Sequence, residues 1–474
     1  MSTQVAYREY WRSLEERANT QEFRDFLSQE FRLAQPPPEG VERRHFLQLM
    51  GASLAMAGLA CTRQPEEKIL PYVRAPENLI PGKPLNYATS MVLEGGAMGL
   101  LVESHMGRPT KIEGNPTHPA SLGSTDVFAQ AAALQLYDPD RSQVILHQGR
   151  ISTYAAFLSE LQMFLALQQP SGGAGLRILT EPVLSPTLGM QLLTILQKYP
   201  QARWHQYEPD HGDFARRGSE LVFGEALSLR HDFTRAKVVL ALDADFMNRG
   251  PAKIRYARDF ASRRQPQAVG GINRLYSVEG VPSLTGTMAD HRLVVRSSEV
   301  SKIAWAVASE FGMADTEGAE LSEAQKRFVR VLAKDLQAAR GESIVIAGAE
   351  QPPEVHALTH ELNAVLENFG KTVKYTQNIQ ARPEAHIASM QELASDMASG
   401  KVSGLIILGG NPIHNAPVNL AFAQALEKVP LRVHLGLYED ETARYSHWHL
   451  PEAHFLESWS DARAYDGTAS IVQP

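Results

Sequence analysis

Hydrophobic positions follow two patterns along most of the chain. Short runs made up mostly of aliphatic and β-branched residues occur at residues 237–242, 344–346 and 404–408. Segments with apolar residues at helical spacing lie between such runs, for example at residues 154–167 and 187–198. Strands that are buried on both faces and separated by helices are typical of parallel sheets with crossover helices. The pattern therefore predicts an α/β body.

A different pattern occupies the region from residue 85 to residue 142. Short apolar runs alternate there with turn sequences such as Gly-Gly at 95–96 and Gly-Asn-Pro at 114–116. Glycine, proline and asparagine at this spacing mark tight turns between short strands. We expect a small β-rich module in this part of the chain.

The first forty residues have a third pattern. Aromatic and leucine residues recur among charged residues at roughly helical spacing from residue 7 to residue 31, and a proline-rich linker follows at 34–40. One or two amphipathic helices are expected before the linker, because consecutive prolines do not continue a helix. They could lie on the protein's own surface or dock on another subunit, since amphipathicity alone identifies no partner.

A twin arginine, Arg43 and Arg44, precedes a weakly apolar stretch that ends at Ala60. The stretch is too short and too rich in glycine and alanine for a membrane span, which needs about 20 apolar residues. It resembles a twin-arginine export signal, here in an unusually late position and retained after use. Cys61 directly after it is either a lipid-attachment cysteine or an incidental buried thiol.

These patterns divide the chain into five predicted segments. They are amphipathic helices and linker at 1–41, a signal-like segment at 42–61, a linker and β-rich module at 62–145, an α/β domain at 146–300, and a second α/β domain at 301–474.

Composition narrows the possible functions. A chain of 474 residues with 43% hydrophobic content can bury more than one core. The 46 Lys and Arg against 53 Asp and Glu leave a net charge of -7, which provides no electrostatic footprint for nucleic acid. Cys61 is the single cysteine, so this chain alone builds no disulfide, iron-sulfur cluster or four-cysteine zinc site.

One group of residues near the end of the chain has the chemistry of metal ligands: His447, His449, Glu452, His454 and Glu457. Imidazole and carboxylate groups bind transition metals, and alternate residues of a strand share a face. Ordinary hydrogen-bonded histidines account for the same pattern. We assign no metal ligand, cofactor-binding residue or catalytic residue to the chain, and only Arg43 and Arg44 as targeting residues.

The turn Gly409-Gly410-Asn411-Pro412 follows a predicted buried strand. Its backbone N–H groups could cradle a phosphate. No Lys or Ser/Thr follows at the spacing of a phosphate-binding loop, so a connecting turn is the preferred interpretation.

The order of several motifs resembles the molybdopterin-guanine-dinucleotide oxidoreductases. The motifs are VESHMGRPTKIEGNPTHP at 102–119, then Gly123, then LYDPDR at 136–141, GGNP at 409–412, and Leu450-Pro451 followed by Glu457-Ser458-Trp459. In that family a β-hairpin of this type lies between cluster cysteines. The resemblance implies an α/β, molybdopterin oxidoreductase-like fold, with parallel-sheet domains and a small β-rich module.

Four further segments resemble a narrower family. They are YWRSLEE at 10–16, the late twin arginine, PEEKILPY at 65–72 and ARAYDG at 462–467. They look like the N-terminal half of the large molybdopterin-like and iron-sulfur subunit of bacterial alternative complex III, a quinol-oxidising assembly of the inner membrane. That half is thought to hold no molybdenum cofactor. The sequence ends at Pro474 without a cysteine-rich continuation, so we expect the N-terminal half only.

The chain departs from the molybdoenzyme pattern where the last cluster cysteine often lies. Ser124-Thr125-Asp126 stands there, and oxygen ligands do not replace the thiolates of an iron-sulfur cube. The chain is also shorter than the family, whose cofactor lies between domains that include a C-terminal one. We therefore expect that the cofactor region, including Gly410, Asn411 and Pro412, is filled by the protein's own side chains.

The resemblance implies a non-catalytic scaffold subunit on the periplasmic face of the inner membrane. Iron-sulfur clusters and c-type haems are expected in neighbouring parts of the complex. The implied partners are a ferredoxin-like iron-sulfur half or subunit, a multihaem cytochrome c and a quinol-binding integral membrane subunit. Two alternatives remain: a molybdopterin-dependent catalytic subunit completed by a second chain, and a free-standing periplasmic α/β binding protein.

Overall fold

The computed structural model describes Gln21, Ile80 and residues 82–265, 270–313 and 321–474. The chain divides into one unit at Met1–Glu77 and another at Asn78–Pro474. The predicted amphipathic segment, the twin arginine and the cysteine all belong to the first unit and, apart from Gln21, lie outside the described residues.

Strands and helices alternate through most of the second unit. The strands are β1 Leu85–Leu93, β2 Gly96–His105, β3 Arg108–Gly114, β4 Leu146–His147, β5 Arg150–Ile151, β6 Leu176–Thr180, β7 Arg203–Gln206, β8 Leu227–His231, β9 Val238–Leu242, β10 Arg274–Glu279, β11 His291–Val294, β12 Ser343–Ala347, β13 Val373–Gln377, β14 Gly404–Leu408, β15 Leu431–Gly436, β16 Trp448–Pro451, β17 Ser460–Arg463 and β18 Ala469–Val472.

The helices include most of the long amphipathic segments. They are α1 Val127–Leu136, α2 Tyr154–Gln168, α3 Pro186–Lys198, α4 Asp213–Phe223, α5 Lys253–Ser262, α6 Leu284–Thr287, α7 Ser297–Ser309, α8 Glu323–Ala338, α9 Pro353–Val365, α10 His386–Ala398, α11 Pro412–Asn415, α12 Phe422–Leu426 and α13 Glu441–Tyr445, with a 3₁₀ turn at Val418–Leu420. The predicted helices at 154–167 and 187–198 are confirmed as α2 and α3. The three predicted buried strands are confirmed as β9, β12 and β14. None of the described helices is long and apolar enough to cross a membrane.

The predicted β-rich module is confirmed as an antiparallel sheet in the order β1-β2-β3, with α1 packed on β3. Glu94 and Gly95 connect β1 to β2, and both have positive φ, at 49° and 73°. A two-residue turn with positive φ at both positions matches the right-handed twist of the flanking strands. The hairpin of β17 and β18 packs on this sheet, and Thr89 Oγ1 donates a hydrogen bond to the carbonyl of Gln473 at 3.0 Å.

Glycines of the hairpin motif permit close packing inside this module. A methyl group on Gly114 would lie 2.4 Å from the carbonyl carbon of Gly123. One on Gly99 would lie 2.2 Å from the ring of His118, whose Nε2 lies 2.9 Å from Ser470 Oγ. Larger residues at either glycine would separate the hairpin from the loop that leads to α1.

The body contains two mainly parallel sheets. The first has seven strands in the order β5-β4-β16-β15-β14-β6-β7, of which the five from β16 to β7 are parallel. The second has four parallel strands in the order β11-β10-β9-β12. An antiparallel pair of strands distant in sequence, β8 with β13, shares a hydrophobic cluster with β9 and β12 of the second sheet. The fold is therefore α/β with parallel sheets and a small β-rich module.

Strand pairing divides the body differently from the predicted domains at 146–300 and 301–474. β6 pairs with β14, and β9 pairs with β12, so each sheet contains strands from both sides of residue 300. The residues from β8 to β13 form an insertion between the two parts of the seven-stranded sheet. Hydrophobic runs identify buried strands but do not identify their partners, because crossover connections can join strands that are distant in sequence.

A single hydrophobic cluster forms the core on one face of the four-stranded sheet. Leu240 and Leu242 of β9, Val278 of β10, Ile303 of α7 and Leu332 of α8 are all fully buried in one hydrophobic cluster. Burial of each such side chain contributes roughly 1.5–3 kcal/mol. This packing fixes the carboxyl ends of the strands, where the loops carry most of the polar side chains described below.

Candidate functional site

A cavity of about 680 Å³ lies at the carboxyl ends of the parallel strands of the four-stranded sheet. Asp243 follows β9, Glu279 ends β10, and Gly348 follows β12, and all three line the cavity. In open α/β sheets, ligands bind in the crevice outside the carboxyl ends of the strands. The volume is within the range of small-molecule sites.

The remaining walls come from several other elements, which include β7, β8, α4 and α9. Glu208, which follows β7, brings the edge of the seven-stranded sheet into the cavity. β8 contributes Leu227 and Leu229, while α4 and α9 contribute polar residues. The lining therefore combines aliphatic, polar and charged side chains.

Acidic side chains dominate the charge of the cavity. Of the described residues that line it, nine are carboxylates: Glu94, Glu208, Asp210, Asp213, Asp243, Asp245, Glu279, Glu350 and Glu384. The described lining contains two arginines and no lysine. Arg249 pairs with Asp210 at 3.2 Å and with Glu350, and Arg216 pairs with Glu220 at 2.9 Å. Both arginine charges are therefore already compensated by the protein.

Backbone and hydroxyl donors hold several of these carboxylates in place. Asp213 accepts hydrogen bonds from the N–H groups of His386 and Ile387, at 3.0 Å each, at the start of α10. Asp245 accepts from the N–H and the hydroxyl of Thr285, at 2.9 Å each, at the start of α6. Carboxylates are stabilised at helix N-termini by unpaired N–H groups. These two acids therefore have a structural role as well as a place in the cavity wall.

Glu208 has the most perturbed carboxyl group of the cavity. Burial raises its pKa to about 7, and the negative charges of Glu181, Asp210 and Glu94 add to the shift. A second carboxyl at the same edge, Glu452, has its pKa raised to about 7 by burial and then by Glu181. Both carboxyl groups follow strands of the seven-stranded sheet, so protons are held most readily at the carboxyl edge of that sheet.

Three buried histidines also line the cavity. His356 and His360 lie four residues apart on α9 and are 5% and 2% exposed, and His231 ends β8. Burial lowers the pKa of each of the three imidazoles to about 4, so all are neutral at pH 7. Nε2 of His356, Nε2 of His360 and both ring nitrogens of His231 are buried without a hydrogen-bond partner among the described residues.

Asp243 has an unusual backbone conformation beside the cavity. Its φ is 54°, a left-handed value that costs energy for a residue with a side chain. Gly348 permits this approach, since a methyl group there would lie 2.0 Å from the carbonyl oxygen of Asp243. The side chain of Asp243 accepts a hydrogen bond from Gln351 Nε2 at 3.1 Å. Backbone strain of this kind clusters at ligand sites and switch regions.

The predicted turn at Gly409 and Gly410 contacts the protein's own side chains. A methyl group on Gly409 would lie 3.2 Å from a carboxylate oxygen of Glu181. Asn411 donates to Glu441 at 2.7 Å and accepts from the hydroxyl of Thr442 at 2.7 Å. The expectation that the cofactor region is filled by the protein's own side chains stays a prediction. The 680 Å³ cavity lies elsewhere along the carboxyl edges and is not filled in this way.

The histidines considered as metal ligands make separate hydrogen bonds. His447 accepts from the N–H of Arg432 at 3.2 Å, and His449 Nε2 lies 2.7 Å from Ser142 Oγ. His454 accepts from the N–H of Leu456 at 3.3 Å. No group of three or more His, Cys, Asp or Glu within the described parts of the chain is arranged to hold a metal ion. Arg43 and Arg44 lie outside those parts.

Asp126, at the position of the missing cysteine, has two structural roles. Its Oδ1 accepts a hydrogen bond from the N–H of Ala129 at 2.8 Å and caps α1. Its Oδ2 lies 3.1 Å from the ammonium of Lys253, which also binds Glu94 at 2.8 Å. Lys253 is 8% exposed, so a buried ammonium joins the β-rich module to α5.

Sequence reasoning missed Glu208, Lys253 and the two histidines of α9. The spacing of His356 and His360 is visible in the sequence and places them on one face of a helix. No local signal marks Glu208 or Lys253, because their burial depends on elements from other parts of the chain.

Comparisons with known proteins agree with the fold. No protein-family model matches the chain. The chain is similar to a menaquinone reductase, molybdopterin-binding-like subunit, of Nitratidesulfovibrio vulgaris, with 24% identity over 414 residues. The match covers 79% of this chain and 59% of that protein, so the chain spans little more than half the length of this relative.

Comparison with solved structures finds one chain of similar architecture and one match with a TM-score below 0.5. Acetylene hydratase from Pelobacter acetylenicus matches with a TM-score of 0.59 and 13% identity, over 81% of this chain and 66% of that one. A chain of the formyltransferase/hydrolase complex from Methylorubrum extorquens matches with a lower TM-score of 0.47 and 14% identity, over 69% of this chain and 92% of that one. The chain thus has a mixed α/β fold of the molybdopterin oxidoreductase type.

Proposed function

We propose that the chain is a non-catalytic scaffold subunit of a membrane-associated complex that exchanges electrons with a quinone. The similar protein from Nitratidesulfovibrio vulgaris is named as a subunit of a menaquinone reductase, which supports a role of this general kind. The observation that carries the proposal is the acidic lining of the cavity at the carboxyl ends of the strands.

A pterin guanine dinucleotide carries a diphosphate, and the described residues of the cavity do not fit it. Both arginines of the described lining are already paired with carboxylates. Of the nine carboxylates, five are also paired with a cation, and Glu208, Asp213, Asp243 and Asp245 have no Lys or Arg partner among the described residues. Like charges about 4 Å apart repel by roughly 4 kcal/mol near a protein surface. Phosphate sites instead use free arginine, lysine and backbone N–H donors. The cavity therefore disfavours this cofactor.

The iron-sulfur chemistry of the molybdoenzymes also lacks its ligands in this chain. Cys61 is the single cysteine, and Asp126 at the position of the last cluster cysteine is engaged as a helix cap and as a partner of Lys253. An iron-sulfur cluster of the cubane type needs four protein ligands, which are mostly thiolates. Electron transfer in the complex would therefore pass through other subunits beside this one.

The assembly that best accommodates these features is alternative complex III. The supporting observations are the sequence segments at 10–16, 65–72 and 462–467. In this proposal the partners are a ferredoxin-like iron-sulfur half or subunit, a multihaem cytochrome c and a quinol-binding membrane subunit. The chain would lie on the periplasmic face of the inner membrane, after export directed by Arg43 and Arg44.

One observation favours a second candidate function. The 680 Å³ cavity lies where α/β enzymes bind ligands, as expected for a catalytic molybdopterin subunit completed by a second chain. The second chain would then have to supply the cationic groups that the described lining lacks.

A blocking substitution separates the two candidates. Val281 lines the cavity and is 71% exposed, so Val281→Trp narrows the cavity without replacing a buried core residue. Val418→Trp is the matched control, at a side chain that is 96% exposed and outside the cavity lining. The scaffold proposal expects unchanged quinol oxidation by the purified complex for both variants. Loss of activity in Val281→Trp alone, with the complex fully assembled, would contradict it.

A further inference from the structure

The outward sides of α7 and α8 carry exposed cations and two exposed apolar side chains. The two helices pack against each other, and both bury their inner sides in the hydrophobic cluster of the four-stranded sheet. On α8 the exposed residues are spaced three and four positions apart, which places them on one helix face. We call the whole set the cationic face: Lys302, Trp305, Arg327, Arg330, Val331 and Lys334.

Nearby carboxylates leave the charge of the cationic face unpaired. Glu323 of α8 pairs with Lys326 at 2.9 Å, and Asp335 pairs with Arg274 on the inner side of the helix. Glu299 of α7 caps the start of its own helix. Among the described residues, no carboxylate lies within 4 Å of a cation of the face. Residues 314–320, which connect the two helices, lie outside the described part of the chain and are not part of the face.

This concentration of positive charge contrasts with the whole chain, whose net charge is -7. The cations of the face also have no role in the candidate site, because none of them lines the 680 Å³ cavity. An anionic partner that approaches from outside therefore meets four positive charges that the protein does not compensate at close range.

The apolar residues of the face indicate which anionic partner fits best. Trp305 is 39% exposed and Val331 is 45% exposed among the cations. Tryptophan is favoured at the boundary between membrane and water, and Lys and Arg extend their charged ends to headgroups. The centre of a protein–protein interface is instead depleted of charged residues, whereas four of the six residues here are charged. A bilayer with anionic headgroups is therefore the better match.

We propose that the cationic face binds the anionic headgroups of a lipid bilayer, with Arg327, Arg330 and Lys334 at the phosphates and Trp305 at the membrane–water boundary. Each Lys or Arg near an anionic membrane surface raises the partition constant about fivefold. The inference adds a direct lipid contact to the proposed membrane association. It does not rest on the scaffold role, since a catalytic subunit of such a complex would have the same contact. Metal analysis tests that role and vesicle binding tests the face, so the two can fail separately.

Flotation of the full-length chain with phospholipid vesicles tests the proposal. Vesicles of phosphatidylcholine mixed with phosphatidylglycerol are compared with vesicles of phosphatidylcholine alone. The test variant removes three charges from α8: Arg327→Gln, Arg330→Gln and Lys334→Gln. The matched control removes three exposed charges from β5, β13 and α13: Arg150→Gln, Lys374→Gln and Arg444→Gln. Both variants thus have the same net charge.

The proposal expects the wild type to bind the mixed vesicles, with an affinity at least about tenfold lower in the test variant and unchanged in the control. High salt should release the wild type, because it screens charges at the surface. Tryptophan emission should shift to shorter wavelength on binding, and the shift should be smaller in Trp305→Phe. Circular dichroism checks that the variants are folded, and the salt dependence and the emission shift need no charge variant.

Three results would overturn the proposal: no binding to the mixed vesicles, equal binding to the neutral vesicles, or an equal loss in the test and control variants. Binding of polyglutamate by the wild type without binding to vesicles would also overturn it, in favour of an acidic protein partner.

Discussion

Arg141 and Glu457, which are 316 residues apart, form a two-point ion pair that joins both ends of the described unit. Nη2 of Arg141 lies 2.5 Å from Oε2 of Glu457, and Nη1 lies 3.3 Å from Oε1. Nη1 of Arg141 also donates to the carbonyl of Leu136 at 2.9 Å, at the end of α1. Arg141 of the LYDPDR motif thus binds Glu457 of the Glu457-Ser458-Trp459 segment.

Loss of this pair should lower the stability of the unit. We expect Arg141→Ala to reduce the free energy of unfolding by about 1 kcal/mol, since half of the pair is solvent-screened. Hydrogen bonding from Arg141 lowers the pKa of Glu457, so its contribution is present above the pKa of unfolded Glu and is lost as pH falls below it. Urea unfolding at pH 7 and pH 3 measures both effects. Asp140→Asn is the control, and an effect of equal size there would contradict the assignment.

Lys253 should be essential for the contact between the β-rich module and α5. Lys253→Met leaves Glu94 and Asp126 without their shared cation, and removal of one partner of a buried ion pair costs about 3 kcal/mol. The triple variant Glu94→Gln, Asp126→Asn, Lys253→Met should recover most of that loss. Chemical unfolding of the single and triple variants measures the difference. If the triple variant is no more stable than Lys253→Met, the three groups do not act as one unit.

The buried histidines predict sensitivity to mild acid. The pKa values of His356 and His360 are about 4 in the folded protein, below the ordinary value of 6.5. A depressed histidine pKa means that protonation favours the unfolded chain, so stability is complete above pH 6.5 and falls between pH 6.5 and pH 4. Each histidine contributes roughly 2–3 kcal/mol to this loss. Unfolding curves from pH 7.5 to pH 5 should be flatter for His360→Phe than for the wild type, and identical slopes would show that His360 is solvated.

Export and assembly are expected to depend on different parts of the N-terminal segment. Replacement of Arg43 and Arg44 by lysine should leave the protein in the cytoplasm, because the apolar run behind them is too short for an independent span. Deletion of residues 5–31 should permit export but release the chain from the complex, because the apolar stripe no longer anchors it. Cell fractionation and co-purification measure the two outcomes. Full co-purification of the deleted form would show that the segment does not anchor the chain.

Local sequence patterns predicted which segments form strands better than they predicted which strands pair with each other. The buried strands β9, β12 and β14 have short, mostly hydrophobic runs, and the hairpin of the β-rich module has its turn residues in sequence, so local pattern sufficed for both. The pairing of β6 with β14 depends on a crossover that no local pattern encodes. The cavity could not be predicted for the same reason. Glu208 and His356 come from separate elements and become buried only when both sheets are assembled.

The molybdenum and tungsten content of the purified complex tests the scaffold proposal most directly. The acidic cavity, the two paired arginines and the single cysteine lead us to expect no more than trace amounts of either metal. A molybdopterin enzyme carried through the same purification controls for loss of metal. A near-stoichiometric content of either metal that co-purifies with this chain would contradict the proposal and favour the catalytic alternative.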